Sequence, residues 1–362
     1  MQRLLLRAWE SQQSPLAWAL RPAAAMYGLL LQQHRKRFAQ HPELCERLPV
    51  LVVVVGNVVA GGAGKTPTTI ALAQHLCAQG WQVGIVSRGY GRQTRQTPTD
   101  STVPATQTLE VHPDSDANTV GDEPLLMHRH TGVPVFVSAS RVAAGRALLQ
   151  AHPHTQVLLC DDGLQHWALQ RDIEVCVLDD RGIGNGWLLP AGPLREPWPR
   201  QWLTAAGQAP ERCLYLHTAP NAVGNSMKSL PYSALATRQL ANYAVTQQGE
   251  HIALSSLQAT VAERPLLALA GIARPERFFA MLQAQGVPLT NTLALPDHYH
   301  FDSSFSNQYG HYRLICTEKD AVKLWPQCPD ALAVPLLQTL PTDWLKTFDT
   351  MLAAAQARAP WL

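Results

Sequence analysis

Apolar runs and amphipathic stretches alternate along the first half of the chain. The valine-rich run 49–55 predicts a strand that is buried on both faces. Glycine-rich residues 56–64 follow, and the pattern over about 66–79 predicts a helix closed by Gly80. Strands that alternate with helices predict a doubly wound, mostly parallel sheet. Further strands are predicted at 83–86, 133–137, 157–160 and 173–178, and a further helix at 141–150.

Two stretches interrupt this alternation, and the composition changes after about residue 205. Polar residues 93–120 predict a long loop, whereas residues 186–200, rich in proline, glycine and tryptophan, predict an ordered loop. Strand patterns at 266–270 and 313–316 predict a second, smaller α/β domain. We therefore predict four segments: an amphipathic helical segment 1–40, a core 41–205, a smaller C-terminal domain 206–340 and a closing helix 341–362.

The N-terminal segment places basic residues among aromatic and aliphatic ones. Such a segment can lie at the surface of an anionic membrane or pack on the protein's own core, and the sequence leaves both interpretations open. No uncharged apolar run is long enough to span a bilayer. The basic residues include Arg7, Arg21, Lys36 and Arg37, and the apolar ones include Leu16, Trp18, Met26, Leu29 and Leu30.

Composition and charge exclude several classes of protein. The chain has 362 residues, 46% of them hydrophobic, so it can bury a large core. Its net charge of +2 lacks the strong basic excess that is typical of nucleic-acid-binding domains. The 7 cysteines are scattered without a C-x-x-C pair, which predicts a reducing compartment and no structural metal site.

A glycine-rich turn after the first strand of the core carries the strongest chemical signal. Residues 61–66 are Gly-Gly-Ala-Gly-Lys-Thr, between a predicted strand and a predicted helix. Glycines let backbone N–H groups converge on phosphate oxygens, and the helix N-terminus adds partial positive charge. Lys65 can reach the β- and γ-phosphates of a nucleotide, and Thr66 can bind Mg²⁺ through its hydroxyl. The turn predicts a P-loop and a P-loop NTPase-like α/β fold, although Val59 replaces the first consensus glycine.

An acidic pair follows another predicted strand. Asp161 and Asp162 come directly after the apolar run 157–160, where a P-loop protein holds Mg²⁺ directly or through water. Asp-Asp-Gly is also an ordinary turn sequence. The pair therefore indicates a metal site only in combination with the P-loop.

Several motifs occur in a fixed order along the chain. They lie at 57–67, 87–92, 121–124, 161–166, 189–197, 297–299 and 317–323. Together they resemble the motifs of the tetraacyldisaccharide 4'-kinase family, whose P-loop also lacks the first consensus glycine. The resemblance extends from the N-terminal region to about residue 325.

The resemblance implies a definite reaction and place. The enzyme would transfer the γ-phosphate of ATP to the 4'-hydroxyl of the tetraacylated lipid A disaccharide precursor, which carries a 1-phosphate, and so form lipid IVA. ATP and Mg²⁺ are the implied cofactors, and no nucleic acid is implied as a partner. The implied location is the cytoplasmic face of the bacterial inner membrane, with a peripheral or monotopic N-terminal segment on the anionic surface.

The resemblance also assigns catalytic roles. Asp122 corresponds to the family's proposed catalytic base, and His298 corresponds to the histidine that forms a dyad with it. A carboxylate within reach of a hydroxyl can accept its proton, and a bonded histidine can orient that carboxylate. From the residues alone, Asp122 could instead cap a helix and His298 could be a surface histidine.

The remaining candidates bind nucleotide, metal or substrate. Glu196 could equally form a salt bridge with Arg195, and the residues at 88–92 could be solvent-exposed. The cofactor-binding candidates are Val59, Ala60, Gly61, Gly62, Ala63, Gly64, Lys65 and Thr66, of which Lys65 is also catalytic. The metal candidates are Thr66, Asp161, Asp162 and Glu196, and the substrate candidates are Arg88, Tyr90, Arg92, Gln165, His166 and Arg171.

Two other classes of function stay open from the residues. A P-loop GTPase or metal-insertion ATPase would carry a base-recognition motif such as Asn-Lys-x-Asp, and residues 317–320 are similar to it. A membrane-bound adaptor with a degenerate nucleotide site is the other class. The intact Lys65 and Thr66 argue against that adaptor.

Overall fold

The described chain divides into two compact units. A computed structural model describes residues 2–89, 107–200, 212–219, 230–257, 264–297 and 299–359. Unit 1 comprises Met1–Arg88, Val133–Thr237 and Thr339–Leu362. Unit 2 comprises Gly89–Gly132 and Arg238–Gln338.

The regular elements are short strands and eleven described helices. The helices are α1 (Gln2–Ala8), α2 (Pro15–Ala19), α3 (Arg21–Gln40), α4 (Lys65–Ala78), α5 (Ala117–Val120), α6 (Asp122–Thr131), α7 (Arg141–Ala151), α8 (Pro275–Ala284), α9 (Ser303–Tyr309), α10 (Glu318–Leu324) and α11 (Thr342–Gln356). The strands are β1 (Leu51–Gly56), β2 (Val83–Ser87), β3 (Leu109–Glu110), β4 (Val135–Val137), β5 (Val157–Asp161), β6 (Ile173–Leu178), β7 (Cys213–His217), β8 (Ser233–Leu235), β9 (Thr237–Leu240), β10 (Tyr243–Val245), β11 (His251–Ala253), β12 (Leu266–Ala270), β13 (Asn291–Ala294), β14 (Arg313–Thr317), β15 (Leu332–Val334) and β16 (Leu336–Thr339).

Unit 1 is built on a parallel sheet in the order β4-β2-β5-β1-β6-β7-β8. β1 lies inside the sheet and is buried along its whole length, as its run of valines predicts. Ala144 and Leu148 of α7 pack in one core with Val52 and Val54 of β1. Helices α4 and α11 also pack against the sheet, and the predicted parallel α/β core is confirmed.

Unit 2 has a smaller mixed sheet in the order β11-β10-β15-β14-β12-β13. The pairs from β15 to β13 are parallel, whereas β11, β10 and β15 pair antiparallel. Its core includes Phe278 and Leu282 of α8 and the buried strand residues Ala268 and Ile315. The second α/β portion expected from the sequence is therefore present.

The bounds of the units differ from the predicted segments. Segment 89–132, which the prediction placed in the core, belongs to unit 2 because α6 packs on α10. The later portion of unit 2 begins at Arg238 rather than at 206, since β7 and β8 extend the sheet of unit 1. The C-terminal helix α11 belongs to unit 1.

The long loop predicted at 93–120 is wrong where the structure describes it. β3 and α5 lie within this segment, and residues 93–106 are outside the described residues. Asp116 caps α5 by accepting a hydrogen bond from the backbone N–H of Asn118. Ala117 and Val120 are buried. A single helical turn of this kind is too short to produce a periodic signal.

Helix α3 has two chemically different faces. Ala24 is buried, and the Tyr27 hydroxyl donates to the backbone carbonyl of Arg195 at 2.7 Å. Met26, Leu29 and Leu30, in contrast, are 62%, 62% and 59% exposed. One face of α3 packs on the rest of unit 1, which agrees with the interpretation that the N-terminal segment packs on the protein's own core. The other face leaves apolar side chains exposed.

The exposed apolar residues continue onto the neighbouring helices. Leu16 and Trp18 of α2 are exposed, and Arg21 stacks over the rings of Trp18 and Trp187. Within the described residues, no helix combines the length and hydropathy that a membrane crossing requires. The exposed face of α3 with Leu4, Leu6, Leu16 and Trp18 is called the apolar N-terminal face below.

We expect two leucine substitutions, one at a buried and one at an exposed position, to have different effects on the free energy of unfolding. Leu72→Ala removes a fully buried side chain from α4 and should lower the free energy of unfolding by about 2–5 kcal/mol. Leu30→Ala, at a 59% exposed position of α3, should change it by less than about 0.5 kcal/mol. Urea unfolding followed by circular dichroism measures both changes. Equal losses of stability would contradict the assigned burial.

Candidate functional site

The loop between β1 and α4 turns at two glycines in the left-handed region. Gly61 and Gly64 have φ of 95° and 89°, a region that only glycine adopts readily. Arg181, held by Asp179, donates to the backbone carbonyls of Ala60 at 2.9 Å and residue 62 at 3.0 Å. Two loop carbonyls are therefore fixed by a guanidinium group.

A second loop, which occurs later in the chain, supports the P-loop through backbone hydrogen bonds. The backbone N–H of Ala60 donates to the carbonyl of Pro193, and that of Arg195 donates to Val58, both at 2.7 Å. Val59 forms an isolated bridge with Leu194. The predicted ordered loop 186–200 is therefore hydrogen bonded to the P-loop at Val58–Ala60.

Lys65 lies at the start of α4 and points toward polar oxygens. It is 9% exposed, and its Nζ lies 3.3 Å from Oδ1 of Asn57 and 3.6 Å from Oδ1 of Asp162. Thr66, the next residue, is 8% exposed. The lysine ammonium and the Asp162 carboxylate therefore face each other beside the phosphate-binding loop.

The two aspartates at the end of β5 have different partners. Asp161 is 1% exposed and accepts hydrogen bonds from Thr69 at 3.2 Å and Ser87 at 3.4 Å. Asp162 lies in the left-handed region with φ of 48° and pairs with Arg195 at 2.8 Å. Asp161 is thus tied to neighbouring elements, while Asp162 is paired with cations.

The cations determine the charge state of Asp162. Burial disfavours its ionised form, but Lys65 and Arg195 outweigh burial and hold the pKa of Asp162 below its usual range. Arg141 also contributes, and its Nη2 donates to the Asp162 carbonyl at 3.1 Å. Asp162 is therefore a carboxylate at neutral pH.

Glu196 is buried and belongs to a separate ion cluster. Its Oε1 accepts from Gln165 at 2.8 Å and lies 3.2 Å from Nε of Arg200. Arg200 also pairs with Glu174. The alternative pairing of Glu196 with Arg195 is wrong, because Arg195 pairs with Asp162 and Arg200 pairs with Glu196.

Arg171 holds the turn that follows the acidic pair. It donates to the backbone carbonyls of Leu164 at 3.0 Å and His166 at 2.6 Å, and it pairs with Glu174 at 3.2 Å. Burial and the nearby arginines Arg141, Arg171 and Arg88 lower the pKa of His166 to about 4. His166 is therefore neutral at physiological pH, and the contacts of Arg171 are those of a structural residue.

Some predicted residues cannot be placed. Tyr90, Arg92 and His298 lie outside the described residues. Arg88 is described, follows β2 and is exposed. The predicted Asp122–His298 dyad therefore stays a prediction.

Asp122 lies in unit 2, at the start of α6. It is 3% exposed, and its Oδ1 accepts a hydrogen bond from the backbone N–H of Glu123 at 3.0 Å. Its Oδ2 lies 3.3 Å from Nζ of Lys323. The helix cap is Gly121, so Asp122 does not occupy the capping position.

Motif 317–323 comprises the N-cap and all but the last residue of α10. Thr317 caps the helix, and Asp320 accepts from the backbone N–H of Gly271 at 3.0 Å and from the Thr317 hydroxyl at 2.6 Å. Lys319 pairs with Glu123 and Asp297, each at 3.3 Å. These contacts are internal to unit 2 and differ from the base contacts of a GTPase motif.

Several polar residues of these sites were not predicted from the sequence. Asn57, Ser87 and Arg181 lie at or just after the end of a strand, where parallel sheets collect polar groups. Arg141 begins α7, whereas Lys323 lies in the last turn of α10. Pairs of residues that are far apart in the chain leave no recognisable pattern in the local sequence. The missed residues are Asn57, Thr69, Ser87, Arg141, Arg181, Arg200 and Lys323, with Arg195 named only as a partner of Glu196.

A parallel sheet whose buried first strand leads through a glycine-rich loop with Lys65 and Thr66 into a helix defines a P-loop nucleotide-binding protein. Comparison with known proteins identifies the family. The profile of the tetraacyldisaccharide-1-P 4'-kinase family matches residues 16–355. The chain belongs to this family, and the predicted family and kinase class are confirmed.

Relatives at high identity carry the same name. The chain is 51% identical to the tetraacyldisaccharide 4'-kinase of Acidovorax sp. strain JS42 over 96% of this chain and 94% of that protein. It is 46% identical to the enzyme of the same name from Polaromonas naphthalenivorans, over 99% of this chain and 98% of that protein.

A solved structure shares the fold. The crystal structure of LpxK from Aquifex aeolicus in complex with ATP matches with a TM-score of 0.72. The sequence identity is 24%, and the match covers 94% of this chain and 99% of that one. This likeness confirms the predicted α/β fold class.

Proposed function

We propose that this chain transfers the γ-phosphate of ATP to the 4'-hydroxyl of a tetraacylated glucosamine disaccharide 1-phosphate. The products are ADP and the 4'-phosphorylated lipid IVA stage of lipid A. The proposal rests on Lys65, which begins α4 at the end of the P-loop and faces Asp162 at 3.6 Å. The family membership supplies the acceptor, and the ATP bound to the Aquifex aeolicus relative supports the donor.

The P-loop would hold the β- and γ-phosphates. Backbone N–H groups of Gly61–Gly64 and the N-terminus of α4 supply partial positive charge, and Lys65 adds a full charge. The Lys65–Asp162 contact would then be exchanged in part for contacts with phosphate. The γ-phosphorus forms a bond to the 4'-oxygen while its bond to the bridging oxygen of ADP breaks.

The acidic pair and Thr66 fit a Mg²⁺ ion in their chemistry. All are oxygen donors, which Mg²⁺ prefers, and it usually takes only one or two carboxylates together with substrate phosphates. The described residues contain no group of three or more histidines, cysteines or carboxylates that could form a closed cage. We propose Thr66, Asp161 and Asp162 as the residues around the ion, which would neutralise phosphate charge, whereas Glu196 is held by Gln165 and Arg200.

The acceptor hydroxyl requires a group that takes its proton. We propose Asp122 as that base, with His298 as its orienting partner. The remaining candidates for contacts with the lipid phosphate or the transferring group are Arg88, Tyr90, Arg92, Gln165 and His166. Arg171, which holds the turn 164–166, would act by keeping Gln165 and His166 in place.

The apolar N-terminal face suits the surface of an anionic membrane. Its exposed leucines and Trp18 would enter the interface, while Arg7, Lys36 and Arg37, all exposed, would meet the head groups. This arrangement supports a peripheral or monotopic location at the cytoplasmic face of the inner membrane, where the lipid precursor is found.

Lys65→Ala should reduce phosphoryl transfer by a factor of about 100–1000, because it removes a charge aimed at the transferring phosphate. The measurement uses labelled ATP, Mg²⁺ and tetraacyldisaccharide 1-phosphate in detergent micelles. Lys346→Ala, at a lysine whose side chain is 72% exposed, is the matched control and should keep full activity. Full activity of Lys65→Ala would refute the kinase mechanism.

Asp122 and His298 should act as one unit. Asp122→Ala and His298→Ala should each lower kcat by a factor of about 100–10,000, as loss of a general base does. The double substitution should cost little more than the larger single effect. Multiplied single effects in the same micelle assay would exclude a dyad.

The apolar N-terminal face should govern binding to vesicles. Leu29→Glu with Leu30→Glu should reduce sedimentation with phosphatidylglycerol-containing vesicles by at least about tenfold, since burial of each leucine contributes about 1.5–3 kcal/mol. Leu336→Glu with Leu337→Glu changes a second pair of exposed leucines, 37% and 38% exposed, and should leave binding unchanged. Unaltered binding of the first variant would exclude this face.

A further inference from the structure

Asp122 is a buried carboxylate with a partner on each oxygen. The Glu123 backbone N–H donates to Oδ1 at 3.0 Å, and the Lys323 ammonium lies 3.3 Å from Oδ2. The side chains of Lys323 and Asp122 are 8% and 3% exposed. Burial of an unpaired carboxylate is costly, so the cation beside it strongly favours the ionised form.

The position of Lys323 is fixed by the start of α10. Thr317 caps this helix, and Asp320 bonds to the backbone N–H of Gly271 beside it. Lys319 and Lys323 are four residues apart and therefore share one face of the helix. That face approaches the first turn of α6, where Asp122 and Glu123 lie.

The interaction of Lys323 with Asp122 is chiefly Coulombic. Within the described chain, the Lys323 Nζ is buried and makes no hydrogen bond of acceptable geometry, although it is at ion-pair distance from Asp122. A cation in this position acts mainly through its charge, which falls off slowly with distance in a poorly solvated environment.

We propose that Lys323 is a positioning residue that keeps Asp122 ionised and oriented to receive the acceptor proton. The proposal rests on the role of Asp122 as the base in the proposed function. A base must present an unprotonated oxygen, with a lone pair that can accept the proton, when the hydroxyl arrives. Each carboxylate oxygen has two acceptor sites, so a single contact to an oxygen does not by itself prevent that oxygen from accepting from the hydroxyl.

An adjacent cation also weakens the base, and the reaction tolerates this. An opposite charge at about 4–6 Å or less lowers the pKa of an aspartate by about 1–3 units. The transition state of phosphoryl transfer is loose, so positioning of the nucleophile matters more than the strength of the base. Lys323 therefore secures the correct protonation state over a wider range of acidic pH.

Other charges face the same carboxylate. Glu123 is its chain neighbour and opposes ionisation of Asp122, whereas Lys319 favours it. Lys319 is shared with Glu123 and Asp297. Burial disfavours its charged form, but the nearby carboxylates outweigh burial and raise the pKa of Lys319. Lys323 lies within ion-pair distance of Asp122. His130 pairs with Glu318 at 2.8 Å. Among the described residues, Lys323 is therefore the cation whose removal should affect Asp122 most, and His298, its proposed dyad partner, lies outside them.

The test is the pH profile of kcat/KM for Lys323→Met in the full-length protein, from about pH 5 to about pH 9. The acidic limb should move to higher pH by about one unit or more, since the aspartate pKa rises when its cation is removed. Activity should approach the wild-type plateau at the alkaline end. Lys323→Arg keeps the charge and should keep the limb near its original position.

Matched variants separate this effect from a loss of folding. Lys346→Met makes the same change at an exposed lysine and should not move the limb. Thermal melting checks the fold of each variant, and Lys323→Gln serves as a second neutral substitution if the methionine variant is unstable. In an Asp122→Asn background, loss of Lys323 should change activity by less than about twofold, because the two residues act together.

The possible outcomes are distinct. A uniform loss of activity at every pH in both neutral variants, or an unmoved acidic limb, would overturn the role of Lys323. A wild-type protein that transfers no phosphate, or an Asp122→Asn variant with full activity, would instead refute the proposed function. A shifted limb that Lys323→Arg restores would support the proposal.

Discussion

The burial of β1 on both faces decides where the polar chemistry of unit 1 lies. Leu51–Val55 are all apolar and at most 1% exposed. The polar residues of the site follow the carboxyl end of this strand. Val55 pairs in parallel register with Asp161 of β5, and the P-loop begins just after Gly56. The parallel sheet therefore gathers a cationic loop and an acidic pair at one edge.

The elements that the sequence predicted are those with a contiguous signal. The apolar runs of β1, β5 and β6 and the glycine-rich loop before α4 are continuous in sequence, and the structure has them within a few residues. The bounds of the domains could not be read from the sequence, because helix α6 packs on α10 and so belongs to unit 2 rather than to the core. Such a domain boundary is determined by tertiary packing, and the amino-acid composition of the segment does not reveal it.

The partners of the charged residues were the least predictable feature. Arg195 pairs with Asp162, which is 33 residues away, and Lys323 lies against Asp122 from another helix. Sequence spacing reveals only pairs on one helix, and the pair of Glu196 with Arg200, although four residues apart, lies in a loop. Motif 317–323 was recognised in the sequence as a pattern. The roles of its lysines, however, depend on the carboxylates that the fold places beside them, and the sequence does not show these contacts.

The two-faced helix α3 has a mechanical consequence. Tyr27 bonds to the backbone of Arg195, whose guanidinium pairs with Asp162, so the helix and the acidic pair belong to one packed unit. If Leu29 and Leu30 were inserted into a membrane surface, the packing of α3 would fix the distance between that surface and the acidic pair. A lipid held in the same membrane would then present its sugar at a constant distance from the surface, and its acyl chains would not need to leave the bilayer.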